Sequence, residues 1–162
     1  MPRTKEQLIE ELTSYIDNGY LDINSFDNPL DEAATALTEL HFIDGAACEF
    51  LCKRIILSSA VGDAYLDSLC LGHLFDLNKD YALNYVLTHV ENMPAPVLGS
   101  AMDGLYQYSE EQFRMKFSEE LIAKIHKRYD EVVQDPFFKD MLASLYDTFS
   151  VTYSRRNISA GS

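Results

Sequence analysis

The chain repeats itself at an interval of 32 residues, and that interval restricts its possible folds more than any other property. DEAATALTELHFID (31–44) lies over DAYLDSLCLGHLFD (63–76) with Asp31/Asp63, Leu37/Leu69, His41/His73 and Asp44/Asp76 identical. Ala34/Leu66, Phe42/Leu74 and Ile43/Phe75 are alike in apolar character. A fainter third copy follows: LDSLCLGHLFD (66–76) over LGSAMDGLYQY (98–108) shares Leu66/Leu98, Ser68/Ser100 and Gly72/Gly104. Self-similarity at such a period marks stacked supersecondary units, none of which buries its apolar face alone.

Within each copy the apolar residues recur at helical spacing. Thr4 and Gln7 have the form of a capping box, and Leu8, Leu12, Tyr15 and Ile16 follow until Asn18-Gly19 stops them. Residues 20–28 read as a loop. Asn28-Pro29 opens a second helix with Ala33, Ala34, Leu37 and Leu40 as its stripe. Asp44 caps a third, with Ala47, Phe50, Leu51 and Ile55 inward. Gly62-Asp63 opens a fourth (Leu66, Leu69, Leu74) and Asn78 a fifth (Ala82, Leu83, Val86, Leu87, Val90). Pro94 and Pro96 break that helix before a sixth carrying Val97, Leu98, Ala101, Met102 and Leu105. Ser109 starts a short helix, Ser118 a long one through Ile125 to Val133, and Asp135-Pro136 the last, with Phe138, Met141, Leu142, Leu145 and Phe149 inward.

No run of alternating β-branched residues appears, so no strand is expected. The expected architecture is all-α: a single-domain right-handed α-solenoid of about eight antiparallel helices over 1–153, with 154–162 a disordered tail. Gly72 and Gly104, at equivalent repeat positions, are expected to let neighbouring helices approach closely.

The net charge of −13 is unevenly spread. From Glu6 to Cys52 there are 11 carboxylates and no Lys or Arg, whereas residues 114–162 carry 7 acids and 8 bases. A field of that sign repels nucleic acid and anionic lipid and attracts basic proteins. No apolar run approaches the roughly 18 residues of a membrane span, and three cysteines, an odd number, fit a reducing compartment. A soluble cytoplasmic protein is expected.

Little in the sequence points to chemistry. His41-x-x-Asp44 and His73-x-x-Asp76 share helix faces at i, i+3, a spacing that suits metal ligands. Equivalent positions in stacked repeats, however, are expected to lie on the order of 10 Å apart, too far to share one ion, so the structural role of helix ends and caps is preferred. Cys48, Cys52 and Cys70 read as small buried apolar residues. No catalytic triad, H-E-x-x-H or phosphate loop is present, and neither enzymatic activity nor a cofactor or metal is expected. Carboxylates beside tyrosines form the one suggestive composition, because such a surface grips Lys and Arg.

The A-x-x-A-L...L-x-x-x-D and L-x-S-L-x-L-G-H-L-x-D-L patterns, each followed by an apolar helix such as YALNYVL (81–87), resemble short HEAT-type repeats over roughly 29–108. That resemblance implies a curved binding surface. A small acidic helical protein of this profile is similar to bacterial immunity proteins, including those of contact-dependent growth inhibition. The likeness implies a basic toxin partner, commonly a nuclease, neutralised by occlusion of its active site, with no direct contact to nucleic acid or membrane. The docking residues expected are Asp27, Asp31, Glu32, Asp63, Asp67, Asp103 and Glu110, with Tyr106 and Tyr108 as anchors. An adaptor or scaffold subunit of a larger complex is the alternative use of the same surface.

Overall fold

The computed structural model describes residues 3–18, 29–58, 63–108 and 117–154. Among the described residues there are eight α-helices and no strand. They are α1 (Lys5–Asn18), α2 (Pro29–Ile43), α3 (Gly45–Leu57), α4 (Ala64–Leu77), α5 (Lys79–His89), α6 (Ala95–Gln107), α7 (Glu119–Val132) and α8 (Pro136–Thr152), with a 3-10 turn at Val90–Asn92. The loop at 20–28, the short helix expected from Ser109 and residues 155–162 of the tail lie outside the described residues. No helix among the described residues is long and apolar enough to cross a membrane.

Two compact units divide the chain, 1–82 and 83–162, with the boundary inside α5. In the first, the capping box closes reciprocally: Gln7 N donates to Thr4 Oγ1 at 3.2 Å and Thr4 N to Gln7 Oε1 at 2.8 Å. Single residues then serve as hinges. Asp44 donates its N–H to Leu40 O, ending α2, while its carboxylate accepts from Ala47 N at 3.1 Å, starting α3. Asn78 does the same between α4 and α5, donating to Leu74 O and accepting from Tyr81 N at 3.1 Å. Asp63 caps α4 through Leu66 N at 2.9 Å. Each cap supplies a partner to a backbone group that the helix end leaves unpaired, a contribution of about 1 kcal/mol.

Around these hinges the core of the first unit gathers Leu8, Leu12, Leu37, Leu40, Leu51, Ile55, Leu71 and Leu74, each no more than 1% exposed. Cys48, Cys52 and Cys70 are buried with them as free thiols. Several inward assignments need correction. Phe50 is 61% exposed, because the buried stripe of α3 runs Cys48, Leu51, Cys52, Ile55 and Ile56 and leaves position 50 off that face. Ala34, Ala47 and Leu69 are only half-buried, with Ala36 taking a core place on α2 instead. Leu87 is exposed on α5, where Ala82 and Val86 form a narrower stripe.

In the second unit α6 packs on α8 and α7. Ser118 caps α7 and Asp135 caps α8 through Leu121 N and Phe137 N. His126, 3% exposed, is held between these elements: its Nε2–H donates to Tyr153 O at 2.6 Å, and Nδ1 then accepts from the Tyr146 hydroxyl at 2.9 Å. Both ring nitrogens are satisfied, which is what a buried imidazole requires.

The expected close approach at Gly72 does not occur: a Cβ there would meet nothing within 4 Å, and the residue is exposed. Tight places are Gly45, where a Cβ would stand 3.1 Å from Leu77 Cδ2, and Gly99, where it would stand 3.1 Å from Leu142 Cδ2 and 3.2 Å from Leu145 Cδ1. Gly72→Ala is therefore expected to stabilise the protein by about 0.5–1 kcal/mol through helix propensity, and Gly99→Val to destabilise it by about 1–3 kcal/mol through overpacking. Urea midpoints of the two variants test both signs.

Candidate functional site

The expected docking residues fall in both units. Asp27 and Glu110 lie outside the described residues. In the first unit Asp31 is exposed and Glu32 half-buried in the opening turn of α2, while Asp63 and Asp67 stand half-buried at the opening of α4. In the second unit Asp103 accepts from Gln107 Nε2 at 2.9 Å on α6, and Tyr106 and Tyr108 are half-buried near that helix's end.

Charge divides in the same uneven way. The first unit holds fifteen carboxylates against five Lys and Arg, a balance of −10; the second holds eleven against eight, a balance of −3. Ion pairs inside the first unit join Arg3 to Glu11 and Glu39, Lys5 to Asp44, Lys53 to Glu49 and Arg54 to Asp17. Lys53 also sits 4.6 Å from the centre of the Tyr81 ring. Glu6, Glu10, Asp31 and Asp80 are left on exposed helix faces.

Two groups of titratable side chains stand out in this unit. At the opening of α4, Asp67 Oδ1 is buried without a hydrogen-bond partner. Burial, and then the charge of Asp63, push the Asp67 carboxyl up to about 7. The Tyr15 phenol faces the same pair and is raised by burial and by both carboxylates.

The second group overturns an expectation. His41 and His73, expected on the order of 10 Å apart, meet with their Nδ1 atoms 2.7 Å from one another and ring centres at 4.8 Å. The expectation equated helix spacing with side-chain separation, whereas imidazoles projecting toward each other from adjacent α2 and α4 span most of that gap. Cys48 of α3 completes the cluster, with one ligand atom from each of the three residues all within 4.8 Å of one another. Burial and then the neighbouring His41 lower the His73 pKa. The Cys48 thiol is held protonated by the nearby Cys52 sulfur, 3.9 Å away, and by burial.

Exposed large apolar side chains are the feature that sequence reasoning missed. In the first unit Phe42 is 85% exposed, Ile43 53%, Phe50 61%, Leu57 63% and Tyr65 59%. The signal was present in the spacing: Phe42 and Phe50 both fall off the stripes of their own helices. The repeat partners of Phe42 and Ile43 are Leu74 and Phe75, which are 0% and 2% exposed. The hinge explains the difference. Asp44 follows Ile43 at once, so Phe42 and Ile43 form the bare end of α2, whereas the matching hinge at Asn78 comes two residues later and leaves Leu74 and Phe75 inside α4.

No protein-family model matches this chain, and a comparison with curated proteins finds no relative.

Asp67→Asn provides a check on the buried carboxyl. Its folded pKa lies above its unfolded one, so the acid is fully tolerated at low pH, and the cost of ionising it in place grows as pH rises from about 4 to 7. Discounted for partial exposure, the variant's gain in stability over the parent is expected to be about 1 kcal/mol greater at pH 8 than at pH 5.5, read from urea unfolding at the two values.

Proposed function

We propose that this chain is an immunity-type protein: it binds a basic protein partner, a toxin domain with nuclease activity, and neutralises it by occluding its active site. Helix pairs stacked as a right-handed antiparallel α-solenoid of HEAT-like type would supply the scaffold. The reading rests chiefly on one observation, the bare apolar end of α2 at Phe42 and Ile43 in a unit of net charge −10. Apolar anchors within a charged surround have the composition of a protein interface, in which a few large side chains supply affinity and charge supplies steering. A second copy of the chain would bring like charge against like. A cationic surface does the reverse, and a nuclease cleft, built to hold phosphate, is cationic. Asp31 and Glu32, on the same helix as Phe42, are placed in the steering role.

The test has two arms. The full chain is used to capture partners from its native host, and any captured nuclease is then expressed with and without the chain in a growth assay. Rescue of growth is expected; capture of a housekeeping assembly with no toxicity to relieve would make the protein an adaptor and end this reading. With the partner in hand, Phe42→Ser is expected to weaken binding by about 10–100-fold without lowering Tm, since the side chain is almost wholly exposed. Asp31→Lys is expected to slow association and flatten its salt dependence, measured by stopped flow at two ionic strengths.

A further inference from the structure

The cluster of His41, His73 and Cys48 has no part in that reading, and its geometry is unusual for a core. Two imidazoles whose Nδ1 atoms lie 2.7 Å apart have room for only one proton between those atoms. Whichever ring donates, His73 is left with a defect. Its Nε2 is buried without a partner, so it is either a stranded donor or a stranded acceptor, a cost of about 1–3 kcal/mol for such a group. Behind the rings lies Cys48, 0% exposed, with its thiol 3.5 Å from Leu37 O and 3.9 Å from Cys52 Sγ. Two imidazole nitrogens and a sulfur, converging from three helices, form a donor set that no ion pair or cap among the described residues uses.

We propose that His41 Nδ1, His73 Nδ1 and Cys48 Sγ bind one divalent transition-metal ion of borderline softness, zinc being the best match, with the ion in place of the shared proton. Nitrogen and thiolate donors select such ions over magnesium or calcium. Tetrahedral zinc holds its nitrogens about 3.3 Å apart and nitrogen to sulfur about 3.6 Å. The imidazoles therefore part by roughly half an ångström, and the sulfur, in a cluster whose ligand atoms all lie within 4.8 Å of one another, closes by at most about 1.2 Å. The protons balance. The imidazole that carried Nδ1–H moves its proton to its own Nε2, Cys48 gives up its thiol proton to solvent, and each ion bound releases one proton. Both rings then carry Nε2–H, that of His73 remaining a buried donor without a partner among the described residues, and water takes the fourth position. The ion would tie the end of α2 to the start of α3 and the last turns of α4.

Cobalt(II) titrated into the chelator-treated full chain is the probe, because a thiolate ligand adds a near-ultraviolet sulfur-to-cobalt charge-transfer band to the visible bands of a four-coordinate ion. One equivalent is expected to bind with that band, and one equivalent of zinc is expected to displace it. Cys48→Ala is expected to abolish the band, His41→Gln to weaken cobalt binding by more than about 100-fold, and Cys52→Ala to retain the band. Binding without the band, which surface carboxylates or imidazoles alone would give, overturns the proposal, as does a band that survives Cys48→Ala or no binding at all. Because the decisive reading is made on the parent protein, a variant that failed to fold would not shelter the idea.

Discussion

A one-residue link between packed helices is the constraint on which the first unit depends. With only Asp44 between α2 and α3, the chain has no slack: the hinge residue must end one helix with its own N–H and begin the next with its side chain, and it does both. Short polar side chains that bond the backbone two or three residues on are the ones able to do this. Once the reversal is fixed, α3 is committed to lie against α2, and Cys48, Leu51, Cys52 and Ile55 find their place in the core. Lys5 reaches Asp44 at 3.3 Å, so α1 is tied to the same hinge. The hinge carboxyl is held below its usual range by the Ala47 N–H and then by that lysine.

The position of the hinge relative to the repeat then decides what is buried. A link two residues later in the second copy converts Leu74 and Phe75 into core, while the first copy ends at Phe42 and Ile43 and leaves them bare. An exposed pair of this size is a liability in a monomer. In the proposed reading, the net charge of −10 on this unit would oppose self-association and favour a partner of opposite sign. The apolar end and the excess of carboxylate are thus two parts of one surface property.

Much of the helical layout was legible because its signals are local. The capping box at Thr4, the caps at Asp44, Asp63, Asn78, Ser118 and Asp135, and the proline-marked breaks depend on a few neighbouring residues, and the structure places them as read. What depended on three-dimensional register was not legible in the same way. Phe50 was assigned inward because it is large and apolar, yet the angular position of the stripe excludes it. Gly72 was assigned to a close approach because it recurs, yet it faces open space. Helix spacing alone sets His41 and His73 apart, yet axes about 8–10 Å apart bring facing side chains into contact. His126 drew no attention because its partners, Tyr146 and the carbonyl of Tyr153, lie 20 and 27 residues away with no spacing to announce them.

The formal charge of the first unit also overstates what a partner would meet. Asp67 near neutral pH is only partly ionised, and Asp17, Glu11, Glu39, Asp44 and Glu49 have cations of their own. Exposed ion pairs of this kind add little stability, with a median below about 1 kcal/mol, but they do cancel field. Among the described residues, exposed carboxylates that project charge outward include Glu6 and Glu10 on α1, Asp31 on α2 and Asp80 on α5. In the proposed complex, long-range attraction would come from a few identifiable side chains and short-range affinity from the apolar residues that the hinge leaves uncovered. Separating the two would allow rate and affinity to be altered independently, since a screened charge acts on encounter and a buried ring acts on dissociation.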